Sequence, residues 1–193
     1  DWSSAVCSSD LARAARLPAG EAEAKRVLAR LPDNDRVLAE AIRATPTVLG
    51  AAGFEMETLT TSRGLRAVPV QSNGGDALEH VRRYPFVLAS LPGLQAAASG
   101  QGLLSVDLQG AVVRQIPLVL GIGDALLPSL AIEMLRVATG SKQAEVDVGP
   151  LGVSTVRVAD LTVRTQTDAS VWLHFGKADP ARYVSAAAVL AGQ

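Results

Sequence analysis

GLLSVDLQGAVVRQIPLVLGIGDALLPSLAIEMLRVATG, residues 102–140, carries the pattern that decides the fold. Residues 102–107 read as a short apolar strand, Leu108-Gln109-Gly110 as a tight reversal and residues 111–120 as a second strand, which predicts a hairpin. Pro117 has no N–H to give to a ladder, so it is expected at an edge or a bulge. Gly121-Ile122-Gly123-Asp124 reads as a second turn, and residues 126–139 as an apolar helix stopped by Gly140.

Toward the N-terminus the rhythm is helical, then extended. Leu11, Ala14, Ala15 and, past the break at residues 17–20, Ala24, Val27, Leu28 and Leu31 recur at three- and four-residue steps. Pro32-Asp33-Asn34-Asp35 reads as stop, turn and N-cap. Val37, Leu38, Ala41 and Ile42 supply the expected buried face of the next helix, which Thr45-Pro46 ends before a buried strand at residues 47–51. Residues 55–80 are polar and Gly-rich, with a strand expected near 66–70 and a turn at Ser72-Asn73-Gly74-Gly75. Toward the C-terminus, strands are expected at 144–148, 152–158, 161–164 and 171–175, and Asp179-Pro180 opens a last Ala-rich helix. Helices alternating with apolar strands predict an α/β fold, a mixed β-sheet with packed helices forming one domain.

Composition narrows the function. The chain has 193 residues, 48 % hydrophobic and 19 % charged, a size and balance suited to one globular domain. A formal charge of −1, with basic pairs only at Lys25-Arg26 and Arg82-Arg83, argues against nucleic acid as a partner. Aromatic residues are 4 %, too few for a base-stacking platform. The longest apolar stretch, residues 116–135, is interrupted by Asp124, Pro128 and Glu133, short of the roughly 20 residues of a membrane span.

Residues 1–11, DWSSAVCSSDL, differ in character from the remainder of the chain. They resemble the translation of a common short-read sequencing adapter, departing at Ala5, where that frame gives Asp. The expectation is an assembly artefact or a disordered end over residues 1–11, with the domain proper over 12–193. Cys7, the lone cysteine, falls in this segment, so no disulfide or thiol chemistry is expected.

The catalytic motifs are missing. No Gly-x-Ser-x-Gly elbow, phosphate-binding lysine loop or Gly-x-Gly-x-x-Gly fingerprint occurs, and Gly100-Gln101-Gly102 and Gly121-Ile122-Gly123 read as turns. Two distant histidines make no metal site, and neither metal nor cofactor is expected. His80 sits in a charged stretch and reads as solvated. His174, in Val171-Trp172-Leu173-His174-Phe175, shares a strand face with Trp172 and reads either as a hydrogen-bonded structural residue or as a pocket contact. Asp33, Asp35, Asp107 and Asp124 are explained by caps and turns, so no catalytic residues are assigned.

Residues 86–140 also resemble the CHASE2 family. The small-residue segment 96–100, the Asp107–Gly110 reversal, Val113-Arg114, Pro117-Leu118 and the Pro128-Ser129-Leu130-Ala131 helix start carry the likeness. Leu31-Pro32-Asp33-Asn34-Asp35 before its helix and strand, and residues 171–175 before Tyr183-Val184-Ser185-Ala186-Ala187, agree with it. Gln115 departs from the pattern, which often has a second basic residue there. The resemblance implies an extracytoplasmic, periplasmic sensory domain of a bacterial inner-membrane receptor, flanked by membrane helices beyond this chain. Its implied outputs are nucleotide cyclases, histidine or Ser/Thr kinases and diguanylate cyclases. Further strands are implied before and after the residues in hand, which would then be a gene fragment.

For such a module the expected ligand is an unidentified small molecule or environmental signal, and a homodimer is expected from family membership alone. Asp107, Arg114 and His174 are the candidate ligand-binding residues, grouped around a pocket beside the expected hairpin, with Arg114 as an anion-reading donor. The plainer alternative has Asp107 capping the turn and Arg114 solvated. Two other functions stay open: a periplasmic protein-interaction module, and a fragment of a soluble α/β metabolic enzyme.

Overall fold

Residues 33–62, 65–105, 112–177 and 179–192 are described in the computed structural model; the helical pattern of residues 11–31, the segment 1–11 and the reversal at Asp107–Gly110 lie outside them. Asp33 caps helix α1 (Asn34–Ala44) as its sequence predicts, its Oδ1 accepting the N–H groups of Asp35 at 3.0 Å and Arg36 at 3.4 Å. The expected apolar face is only partly used. Ile42 is buried, whereas Val37 and Leu38 are 48 % and 49 % exposed.

Past Pro46 the chain extends into β1 (Val48–Phe54). The strand expected at 66–70 does not form there. Pro69 has no N–H to give to a ladder, and pairing starts beyond it, Val70 N–H to Leu126 O at 2.8 Å and Gln71 N–H to Ala144 O at 3.0 Å, leading into β2 (Gln71–Asn73). Short strands β3 (Arg83–Tyr84) and β4 (Phe86–Leu88) come next, then helix α2 (Pro92–Ala97) with proline in its first turn, and β5 (Gly100–Leu103).

The expected hairpin partners are exchanged. β5 pairs in parallel with β1, not with the residues beyond the reversal. Those residues form β6 (Gln115–Pro117) and β7 (Val119–Ile122). The tight turn lies at Gly123-Asp124, where Gly123 takes φ +56°, and returns the chain into β8 (Ala125–Pro128), a strand where a helix start is predicted. Ser129 then caps helix α3 (Leu130–Thr139), and Gly140 at φ +67° ends it as predicted. The remaining strands are β9 (Glu145–Gly149), β10 (Gly152–Val158), β11 (Leu161–Arg164) and β12 (Ser170–Trp172), before helix α4 (Ala186–Leu190).

The fold is α/β, with several mixed sheets and packed helices. One sheet runs β4-β1-β5 and another β3-β7-β8, and the bridge Leu103↔Ser129 joins them edge to edge. A third sheet runs β11-β10-β9-β2, and β12 with β6 forms a two-stranded ribbon that leaves Pro117 at an edge, as expected. The β7–β8 hairpin is the wall between two cores. Val119 and Leu126 point into one, with Ile132, Val146 and Val156, while their neighbours Leu120 and Leu127 point into the other, with Ala51, Val87 and Leu103. Two buried faces explain why residues 118–120 and 125–127 are apolar without alternation.

Candidate functional site

β5 has two unlike faces, and they create the site. Gly100 and Gly102 lie under α3, where a Cβ on Gly100 would collide with the Glu133 carboxylate and one on Gly102 would stand 2.5 Å from the Leu130 Cα. Only a strand without side chains on that face admits the helix so close. The alternate residues, Gln101 and Leu103, point the other way.

At the C-terminal end of β5 the chain leaves the sheet through Leu104 and Ser105 and returns through Ile116 and Pro117. Between these segments and the first turns of α3 lies an open cleft of about 260 Å³, lined by Leu103, Leu104, Ile116, Leu130, Ala131 and Met134, with the hydroxyls of Ser105 and Ser129. The lining is almost wholly apolar, and Leu104 and Met134 are each 54 % exposed. Ser105 and Pro117 also border a small polar niche of about 40 Å³ formed with Arg82, Tyr84, Gln115, Asp168 and Ser170. Inside it, Ser170 donates from its backbone N–H and its hydroxyl to Asp168 Oδ1, at 3.0 and 2.6 Å. The Arg82 guanidinium lies 5.2 Å from the Tyr84 ring centre and 3.5 Å from Glu55.

The predicted ligand residues are only partly assembled. Asp107 lies outside the described residues. Arg114 and His174 are both exposed and neither lines the cleft. Their segments run side by side at one end of the β6–β12 ribbon, where Leu173 N–H donates to Arg114 O at 2.8 Å. The ladder sets Trp172 against Gln115, so Leu173 faces Arg114 and His174 faces Val113, on alternate sides of the ribbon. Asp124 pairs with Arg83 at 3.1 Å and Asp33 is a cap, which leaves both in structural roles.

Sequence reasoning misses a buried polar cluster beneath β5. Glu133 and Arg136 form a two-bond ion pair, both N–O distances 2.8 Å. Arg136 also donates to Ser141 O at 3.0 Å and Ser99 O at 3.3 Å, tying α3 to the start of β5. The hydrogen bonds and charge of Glu133 raise the Arg136 pKa against the opposing effect of burial. The signal in the sequence is a Glu and an Arg three residues apart inside an otherwise apolar helix. Gln101 escapes notice because Gly-Gln-Gly reads as a turn.

No group of His, Cys, Asp and Glu among the described residues is arranged to hold a metal ion, and no described helix is long and apolar enough to cross a membrane. The chemistry available at the cleft is chiefly apolar contact, which suits binding. The family model described as CHASE2 domain matches residues 9–192.

The chain belongs to the CHASE2 family.

CHASE2 is an extracellular sensory domain and not a catalytic one. Neither the curated proteins nor the solved structures contain a match to this chain.

Proposed function

We propose that this CHASE2 domain is the ligand-sensing input of a bacterial membrane receptor, a nucleotide cyclase or a sensor kinase, placed in the periplasm and acting through flanking membrane helices. The observation that carries the reading is the open apolar cleft between α3 and the Ser105 and Ile116 segments, within a family that is sensory. A ligand held there touches α3, β5 and β6 together. It shifts the balance between two arrangements of these elements by no more than its difference in affinity for them. Asp107, Arg114 and His174 remain the proposed readers of its polar end, Arg114 and His174 as alternatives to each other because they stand on opposite faces of the β6–β12 ribbon.

The test uses the whole receptor encoded at the locus. A long read across the gene should show hydrophobic spans of about 20 residues followed by a cyclase or kinase domain. A stop codon with no spans on either side would remove the receptor reading. Output measured with Met134→Glu in the cleft should no longer respond to the stimulus, and an unchanged response would remove the cleft from the account.

A further inference from the structure

On the face of β5 turned away from α3, a second cavity of about 250 Å³ opens between residues 66–68 and the stretch Gln95, Ala98 and Ser99–Gln101. Gln101 lines it and is 2 % exposed. Its Nε2 donates to Arg66 O at 2.6 Å, pinning residues 66–68 across the strand. Its Oε1 is buried and has no hydrogen-bond partner. A buried carbonyl oxygen is costly to leave without a donor, and Gln101 Oε1 has room for one.

The charges at this cavity have one sign. Arg66 is exposed, and its guanidinium forms no salt bridge among the described residues. No carboxylate lines the cavity. The Glu133 carboxylate lies on the opposite side of β5, beneath Gly100, with both oxygens taken by Arg136. Gln95 is occupied on its amide nitrogen, donating to Ser90 O at 2.6 Å.

We propose that this cavity binds a small carboxylate bearing a hydroxyl or amino group on the neighbouring carbon. The carboxylate takes the Arg66 guanidinium, whose planar donors match it. The hydroxyl or amine donates to Gln101 Oε1, while Nε2 keeps its bond to Arg66 O. The site is separate from the cleft and does not depend on the receptor reading.

The test uses the full 193-residue chain with lactate and glycine as probes and propionate, which has no such donor, as the control. Titration calorimetry should show lactate or glycine binding about tenfold or more tightly than propionate, as expected when a buried acceptor gains its partner. Arg66→Gln, at an exposed position that the fold does not need, should weaken lactate and glycine about tenfold. Gln101→Leu should bring lactate down to the level of propionate, and circular dichroism separates this from unfolding. If that variant unfolds, the Gln101 side-chain amide resonances of the unmodified chain decide instead, because they must shift with lactate and not with propionate. Equal binding of lactate and propionate, unaltered binding by Arg66→Gln, or no binding of any probe would each overturn the proposal.

Discussion

Glu133 sits directly beneath Gly100, so that its carboxylate fills the space a side chain on the strand would need and is held there by Arg136. One buried ion pair thus fixes how closely α3 lies on β5. Glu133 has no exposed surface and Arg136 only 9 %. Removing one partner leaves the other charge buried and unpaired, a loss of about 3–5 kcal/mol. Arg136→Met and Glu133→Gln should each lower the urea midpoint accordingly, whereas combining Glu133→Leu with Arg136→Met should recover most of it. A single variant as stable as the unmodified chain would mean the pair is not buried in solution.

The same pair has a defined pH signature. The folded-state pKa of Arg136 is raised, chiefly by its hydrogen bonds to Glu133. A raised pKa contributes stability that is present below the ordinary guanidinium range and is lost only as pH rises through the higher folded value. Across neutral and moderately alkaline pH, Arg136 therefore adds no slope to the stability curve. Arg136→Lys keeps the charge but not the two-pronged geometry. It should introduce a fall in stability toward alkaline pH, read from urea midpoints on a pH series.

Gly100 and Gly102 should respond differently to alanine. At Gly100 the new methyl meets the end of the Glu133 side chain, which can turn aside at the expense of its pairing. At Gly102 it meets backbone, with Leu130 Cα at 2.5 Å and Leu130 N at 2.7 Å, and the helix itself must move. Overpacking of this kind costs about 1–3 kcal/mol. Gly102→Ala should lie at or beyond the upper end and Gly100→Ala below it, compared by thermal unfolding. The reverse order would show that α3 is free to lift from β5.

How much of this is legible in the sequence depends on how many faces of each element are buried. The cap at Asp33, the stop at Gly140 and strands β10 and β11 are set by local chemistry, and their predicted bounds lie at or near the observed ones. Residues 118–128 are harder, because β7 and β8 stand between two cores and lose the alternation that marks a strand. The exchange of hairpin partners comes from pairings that are distant in sequence: β5 takes β1, and β6 takes β12. The cleft's lining on α3 comes from Leu130, Ala131 and Met134, whose outward face depends on how the helix sits. Gln101 becomes legible only when Gly100 and Gly102 have assigned the other face of β5 to the helix.

Arg114 and His174 offer a sharp separation between stability and signalling. Both are exposed, and the bond between their segments runs through the backbone, from Leu173 N–H to Arg114 O at 2.8 Å, so replacing the side chains leaves it in place. Arg114→Ala and His174→Ala should therefore unfold at the same temperature as the unmodified chain, as surface changes ordinarily do. In the whole receptor each should shift the ligand concentration needed for half-maximal output if it reads the polar end of the ligand. Because the two side chains lie on opposite faces of the ribbon, both cannot touch a small ligand from one side. A shift with Arg114→Ala alone would place the ligand on the Leu173 face, and a shift with His174→Ala alone on the Val113 face. A response unchanged by both would remove the ribbon from the binding site and leave the cleft to act through its apolar wall.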